Sequence, residues 1–240
     1  MKKLLTIVMP AYNEEKLIYD NLMTVIEETG RYTDNFDIIV VNDGSRDETK
    51  NEILRAKETD PRIHMISYRE NRGKGYAVKR GVLRSDAKYT AFIDSDLELP
   101  AYQLESYIEK IEEDDADIVI GSKMHKDSQI EYSLFRKLMS VVFYIMVKLL
   151  FRLDIKDTQT GIKLFRTESI KPVFEKAVIR HFSFDIEILA IAGHMGLKIV
   201  EMPVVLHREK RRERRSKITA KQIIIMIVDT FYTFFRLKKI

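Results

Sequence analysis

The sequence predicts an α/β protein with a mostly parallel sheet that is flanked by helices. Apolar, β-rich runs alternate with amphipathic helical patterns through the first half of the chain, the order that builds parallel strands joined by helices. The runs are nearly all apolar, as expected for strands that are covered on both faces. Polar clusters directly follow three of the runs, and ligands bind to such sheets beyond the carboxyl ends of the strands.

Five runs account for the predicted strands, and four stretches between them account for the helices. The strands are predicted at 4–9, 36–41, 63–67, 88–93 and 117–121. The helices are predicted at about 14–28, 47–58, 74–85 and 101–113. Because no linker rich in Gly, Ser or Pro separates the two halves, we expect one continuous domain with a C-terminal extension.

The composition is that of an ordinary folded protein. The chain has 240 residues, 45% hydrophobic and 32% charged, and contains no cysteine, which excludes disulfides and thiolate metal sites. The apolar run before Pro10 is too short for a signal peptide, and no stretch approaches the roughly 20 apolar residues that span a bilayer. We therefore expect a cytosolic chain that is free to contact membranes.

Positive charge is concentrated near the C-terminus. Residues 207–221 contain eight Lys and Arg against two Glu, although the net charge is only +4. The segment 112–117, EEDDAD, is acidic. A basic run of this kind is either a solvated loop or a binding site for an anion such as a phosphate, a lipid headgroup or nucleic acid.

Two long apolar stretches distinguish the second half. Residues 133–153 form a long apolar stretch punctuated by Arg136, Lys137, Lys148 and Arg152, and residues 218–240 have the same character. Either stretch could be a core helix. Their basic residues, together with the basic segment 207–221, favour helices that lie on the surface of an anionic membrane.

Three carboxylates, Asp94, Asp96 and Glu98, follow the predicted strand at 88–93. Alternate residues of an extended chain point to the same face, so these charges repel one another unless a cation lies among them. A polar loop that caps the helix opened by Pro100 is the simpler interpretation. The neighbouring polar clusters favour a site, and Mg²⁺ or Mn²⁺ prefers carboxylate oxygens.

Other polar segments have weaker assignments. Asp43 lies where a carboxylate could accept hydrogen bonds from a ribose or a base, whereas Ser45 and Asp47 are expected to cap a helix. The segment 71–81 has two glycines but lacks the third glycine of a dinucleotide fingerprint, so no nicotinamide site is predicted. The five histidines are scattered and are expected to be structural.

Ten motifs in unchanged order, over about residues 4–235, carry a family resemblance. Five of them resemble family 2 glycosyltransferases of the GT-A (Rossmann-like) fold, namely PAYNE at 10–14, VVNDGSRDET at 40–49, NRGKGYAVKRG at 71–81, DSDLE at 94–98 and DIVIGSK at 117–123. The others are similar to the polyprenyl-phosphate branch, which includes dolichyl-phosphate mannose synthases and glucosyltransferases: FRKLMS at 135–140, DTQTGIKLF at 157–165, FSFDIEIL at 182–189, VEMPV at 200–204, and Arg211 with Lys217. DTQTG and FDIE look more like the glucosyltransferases.

The resemblance implies a role for each matching residue. The nucleotide sugar would be bound by Pro10, Tyr12, Glu14, Val41, Asp43, Asp94, Ser95 and Asp96, with Arg211 and Lys217 closing over its diphosphate. The metal would be held by Asp94, Asp96 and Glu98, and the acceptor phosphate by Lys123, Arg136 and Ser140. Asp94, Asp96 and Arg136 would be the catalytic residues. The mannose synthases often have Gln where this chain has Glu98, and Arg where it has Lys123.

It also implies three parts: a nucleotide-sugar-binding half at 1–125, an acceptor-binding half at 126–219 and an amphipathic helix at 220–240. The expected reaction is metal-dependent, inverting transfer of a hexose from a GDP-mannose or UDP-glucose type of donor to polyprenyl (dolichyl) phosphate. The expected location is peripheral, on the cytoplasmic face of a membrane, with no nucleic acid bound. A membrane-protein partner or a homo-oligomer is a further expectation.

Alternative functions remain open from the residues alone. A glycosyltransferase that acts on a polysaccharide or a protein-linked glycan would share the N-terminal motifs and would need a base. Asp185 could serve, or it could simply lie in the first turn of a helix. A nucleic-acid-binding or membrane-binding protein without catalysis would leave DSDLE and PAYNE unexplained.

Overall fold

A seven-stranded sheet crosses the computed structural model, which describes residues 2–128, 134–207 and 220–238. The strands are β1 (Leu5–Ala11), β2 (Phe36–Asp43), β3 (Ile63–Tyr68), β4 (Tyr89–Ile93), β5 (Ile118–Ser122), β6 (Ile162–Arg166) and β7 (Ile199–Pro203). The helices are α1 (Ile18–Gly30), α2 (Thr49–Thr59), α3 (Lys74–Arg84), α4 (Leu104–Glu113), α5 (Leu134–Phe151), α6 (Thr167–Lys176), α7 (Phe184–His194) and α8 (Ala220–Leu237).

The strand order is β3-β2-β1-β4-β6-β5-β7. The pairs β1–β2, β1–β4, β2–β3 and β5–β7 are parallel, whereas β6 runs antiparallel between β4 and β5. The predicted mostly parallel sheet is thus confirmed, and all five predicted strands are present. Because β1, β2, β4 and β5 point the same way, the loops that follow them meet at one edge of the sheet.

Two apolar layers cover the faces of the sheet. Ile7 and Met9 of β1 pack in one layer with α1, while Val8 packs in the other layer with α3. This alternation is the period of two that an extended strand imposes. Gly81 lets α3 approach closely, since a Cβ atom there would lie 2.3 Å from Val8 Cγ1.

The helices α5 and α8 lie side by side with one apolar face each exposed. The rings of Phe151 and Phe234 meet edge to face, with centroids 6.1 Å apart. Val147 and Met226 are buried, but Leu149 is 76% exposed. Both stretches are thus amphipathic, and among the described helices none has the length and apolar content to cross a membrane.

The sheet takes strands from both sides of residue 126, because β6 lies between β4 and β5. This arrangement agrees with one continuous domain. The division into a nucleotide-sugar half and an acceptor half stays a prediction.

Candidate active site

The loops after β1 and β2 are tied to each other at the carboxyl edge of the sheet. The backbone N–H of Asn13 donates to Ser45 Oγ at 3.0 Å, and that of Glu14 donates to Thr49 Oγ1 at 2.7 Å. Asp47 accepts from the Thr49 N–H at 3.1 Å beside the start of α2, but the N-cap position is Glu48, so the predicted cap by Asp47 is wrong. Ser45 holds the neighbouring loop and does not cap the helix.

Asp43 fastens the loop that leads into α3. Its Oδ1 accepts from the Tyr68 hydroxyl at 2.6 Å and the Arg72 N–H at 2.8 Å. Its Oδ2 accepts from Asn71 Nδ2 and the Gly73 N–H, both at 2.9 Å. Two donors on each oxygen fill the capacity of the carboxylate. Contact from Asp43 to a nucleotide stays a prediction, and it would have to displace one of these donors.

The predicted nucleotide residues differ in their access to this edge. Tyr12 is 41% exposed, whereas Glu14 is only 8% exposed. Pro10 and Val41 are paired across β1 and β2 and are both buried. The Val41 side chain faces α3, where a Cβ atom on Gly81 would lie 3.3 Å from it. Because that helix covers the Val41 side chain, a contact with the base or ribose would have to come from the backbone, and the role of Val41 stays a prediction.

The segment DSDLE forms a turn after β4, and the predicted extended conformation is wrong. The Leu97 N–H donates to the Asp94 carbonyl at 3.1 Å, and Leu97 has a φ of 48°. The turn breaks the alternation that would have placed all three carboxylates on one face. Among the described residues, no group of three His, Cys, Asp or Glu could hold a metal ion.

Asp94 and Asp96 nevertheless fit a metal that is completed by phosphate, since Mg²⁺ in such sites uses one or two carboxylates. Glu98 is differently placed, because its Oε2 lies 3.1 Å from Lys123 Nζ. Its role as a ligand stays a prediction. The same ion pair brings Lys123, a predicted acceptor residue, to the DSDLE turn.

Lys74, the first residue of α3, contacts this site although the sequence did not single it out. Its Nζ lies 2.7 Å from Asp94 Oδ1. The rings of Phe92, Phe182 and Phe184 surround the ammonium, with centroids 5.0 to 6.0 Å away. Burial lowers the pKa of Lys74, but Asp94 and other carboxylates outweigh this effect and raise it, so the ammonium keeps its charge. The sequence signal that could have identified Lys74 is its position between the two glycines of NRGKG.

Gly161 of the DTQTG motif provides the space for Asp94. The Asp94 N–H donates to the Gly161 carbonyl at 3.0 Å. A Cβ atom on Gly161 would lie 2.3 Å from Asp94 Oδ2. A larger side chain at this position would therefore displace the carboxylate.

A second buried ion pair lies beside the first. Lys163 Nζ is 2.6 Å from Asp185 Oδ1, and the two side chains are 0% and 4% exposed. Burial raises the pKa of Asp185, while Lys163 and Lys74 oppose the rise. Asp185 does lie in the first turn of α7, as predicted. Its partner in β6 was missed, because β6 itself was not predicted.

The remaining predicted phosphate-binding residues lie in the second half of the chain. Ser140 lies half-buried in α5. The Arg136 side chain falls outside the described part of the structure, as do Arg211 and Lys217. Their predicted contacts with the acceptor and the donor diphosphate stay predictions.

Sequence comparisons identify relatives over most of the chain. Residues 6–174 match the family model described as Glycosyl transferase family 2. The chain is 35% identical to the dolichyl-phosphate beta-glucosyltransferase of Dictyostelium discoideum over 83% of its own length and 65% of the relative. It is 31% identical to the human protein of the same name, over 84% of the chain and 67% of the relative. The chain thus spans about two thirds of the length of these curated relatives.

Solved structures share the fold. The glucosyl-3-phosphoglycerate synthase of Mycobacterium tuberculosis, in complex with phosphoglyceric acid, aligns with a TM-score of 0.69 at 17% identity, covering 98% of this chain and 80% of that one. Its complex with Mn²⁺, UDP and glucosyl-3-phosphoglycerate aligns with a TM-score of 0.67 at 17% identity, covering 98% and 80%. At this identity the likeness establishes the GT-A fold. Together with the family match and the named relatives, it confirms the predicted resemblance: the chain belongs to glycosyl transferase family 2.

Proposed function

We propose that the protein transfers glucose from UDP-glucose to a polyprenyl phosphate of the dolichyl type, with inversion at the anomeric carbon. The names of the relatives support the sugar and the lipid phosphate. The proposal depends most on one observation: the carboxyl edge of the sheet, which contains Asp94, lies next to the exposed apolar helix α8. Gln159, two residues from the glycine against Asp94, has its Nε2 3.8 Å from Met226 Sδ of α8.

The acceptor needs no general base. The second pKa of a phosphate monoester lies near 6, so the attacking oxygen is already largely ionised at neutral pH. It forms a bond to the anomeric carbon while the bond from that carbon to the nucleoside diphosphate breaks. Asp185, the candidate base for a sugar hydroxyl, is 3% exposed and paired with Lys163, which supports a phosphate acceptor.

The chain would position two anions and balance their charge. Asp94 and Asp96 would hold Mg²⁺ or Mn²⁺, which when bound neutralises the departing diphosphate. Lys74 holds Asp94 in place through their 2.7 Å contact. The acceptor phosphate would be bound by Lys123, Arg136 and Ser140. The donor diphosphate would be bound by Arg211 and Lys217.

The helices α5 and α8 would lie on the membrane surface. Side chains on both are exposed and apolar, among them Leu149, Ile224, Val228 and Phe235. A lipid acceptor is presented at such a surface, and helices of this kind bury an apolar face in the headgroup region. We propose a peripheral location on the cytoplasmic face of the membrane.

The test is a transfer assay with a panel of donors. The protein is incubated in detergent with short polyprenyl phosphate and labelled UDP-glucose, GDP-mannose or UDP-N-acetylglucosamine, with Mn²⁺, Mg²⁺ or EDTA. We expect label in the lipid extract from UDP-glucose with either metal and none with EDTA. Transfer from GDP-mannose alone would reassign the donor, and no transfer from any donor would overturn the proposal.

A further inference from the structure

We propose that Arg236 and Glu187 form a positioning pair that fastens the exposed helix α8 to the donor end of the active site. The inference rests on the proposed function in that it takes the Asp94 region as the site of the nucleotide sugar. It is carried by a chain of four contacts that leads from α8 to Asp94.

The first contact is a buried ion pair. Arg236 Nη2 lies 2.7 Å from Glu187 Oε1, with 19% and 0% of the two side chains exposed. Arg236 Nη1 also donates to the Lys176 carbonyl at 3.0 Å. Since α8 exposes Val228 and Phe235 on another face, Arg236 is a charged anchor of a helix that is otherwise largely apolar.

The second contact joins Glu187 to the loop between α6 and α7. Its carboxylate accepts from the Val178 N–H at 3.0 Å and from the Ile179 N–H at 2.8 Å. Removal of Arg236 takes away the cation that contacts the buried carboxylate directly, while Lys79 acts on it only at longer range, so the position of these two amides depends on Arg236.

The third contact joins that loop to the start of α3. The carbonyl of Arg180, the next residue, accepts from the Gly75 N–H at 2.8 Å. The packing here has no spare room, because a Cβ atom on Gly73 would lie 2.4 Å from the same carbonyl oxygen. A Cβ atom on Gly75 would lie 2.8 Å from the Ile179 carbonyl oxygen. A shift of residues 178–180 is therefore transmitted to Gly73 and Gly75.

The fourth contact is the one between Lys74 and Asp94, at 2.7 Å. Lys74 lies between the two glycines that residues 179 and 180 hold. Arg236 acts on the donor site through Glu187, this loop and Lys74, and it does not touch the substrate. Contact of α8 with a membrane would act on the donor site through the same residues.

The experiment compares Arg236→Gln, Arg236→Lys, Glu187→Gln and the double variant Arg236→Gln/Glu187→Gln in the full chain. Amide hydrogen exchange is followed without substrates in segments 71–78 and 176–181, and the donor KM and kcat are measured with UDP-glucose. Arg236→Gln is expected to speed exchange in both segments and to raise the donor KM about tenfold while kcat changes less than about twofold. Arg236→Lys keeps the charge but not the planar fork, so it should fall between wild type and Gln.

The donor KM of the double variant should be no higher than that of Arg236→Gln, because the two side chains act as a unit. The matched control is Lys238→Gln, which removes the same charge from the same end of α8. Lys238 is exposed and stacks on the Phe234 ring, 4.4 Å from its centroid. We expect it to leave exchange and donor KM unchanged.

Unchanged exchange in 71–78 for both Arg236 variants would overturn the inference, as would a lower thermal midpoint with an unchanged donor KM. If Arg236→Gln does not fold, Arg236→Lys decides by the same two readouts. Since hydrogen exchange needs no substrate, a wild-type protein that transfers no sugar would refute the proposed function and leave the exchange result to decide on the pair.

Discussion

Asp43 and Lys74 have their roles set by partners that are distant in sequence. The donors to Asp43 come from residues 68–73, and Lys74 meets Asp94 twenty positions later. Asp43 lies in the motif VVNDGSRDET and Lys74 in NRGKGYAVKRG, both of which were recognised in the sequence. Motif position predicts that a residue belongs to the site, but it cannot tell whether the side chain faces a ligand or another loop, because that depends on how the strands are paired.

Asp96→Asn tests the metal assignment at the turn. The change keeps the side-chain volume and removes one ligand charge, so kcat/KM should fall at least about a hundredfold, or about 2.7 kcal/mol of barrier. The thermal midpoint should stay close to that of wild type, because Asp96 lies in a loop. The control is Glu113→Gln on α4, where the side chain is 70% exposed. Near wild-type turnover of Asp96→Asn in saturating Mn²⁺ would contradict the assignment.

Lys163→Met tests the buried ion pair with Asp185. Removal of the cation leaves a buried carboxylate without a partner, so the free energy of unfolding should fall by about 3–5 kcal/mol in urea titration. The control is Lys171→Met, which breaks the more exposed pair with Asp86, at 29% and 84% exposure, and should cost at most about 1 kcal/mol. Equal losses in the two variants would show that Lys163 does not stabilise the fold through Asp185.

The strands of the first half were predictable because each is a short apolar, β-rich run, and the helices because their apolar residues recur with the helical period. The runs at 36–41 and 63–67 became β2 and β3 with small changes at their ends. In contrast, β6 was missed, since its five residues include Lys163, a charge that no pattern of apolar residues explains. The turn at 94–97 was missed for a related reason: a residue with positive φ that is not glycine leaves no signal in the sequence.

The exposed apolar face of α8 is predicted to bind membranes. Val228→Ser with Phe235→Ser removes two apolar side chains, each 60% exposed, and should lower partitioning onto vesicles of anionic lipid by at least about tenfold in a flotation assay. Leu54→Ser with Met195→Ser is the control, since these side chains are 37% and 39% exposed on other elements. If both double variants float like wild type, α8 is not a membrane-binding helix.

In the molecule as a whole, one edge of the sheet collects the loops that contain Tyr12, Asp43, Asp94 and Lys123. The loops after β1, β2, β4 and β5 converge there because these strands point the same way. That convergence was predictable from the order of strands and helices alone. The placement of α5 and α8 beside the edge was not, because it depends on side-chain contacts such as those of Phe151 and Gln159.

In the proposed reaction the sugar is transferred to an ionised lipid phosphate without a general base. The direct measurement supplies UDP-glucose and Mn²⁺ with either polyprenyl phosphate or the matching polyprenol, and follows phosphorus by NMR. We expect the monoester signal to be replaced by those of a phosphodiester and of UDP, and the alcohol to yield no glycoside. Transfer to the alcohol at a comparable rate, or formation of UDP without a phosphodiester, would contradict it.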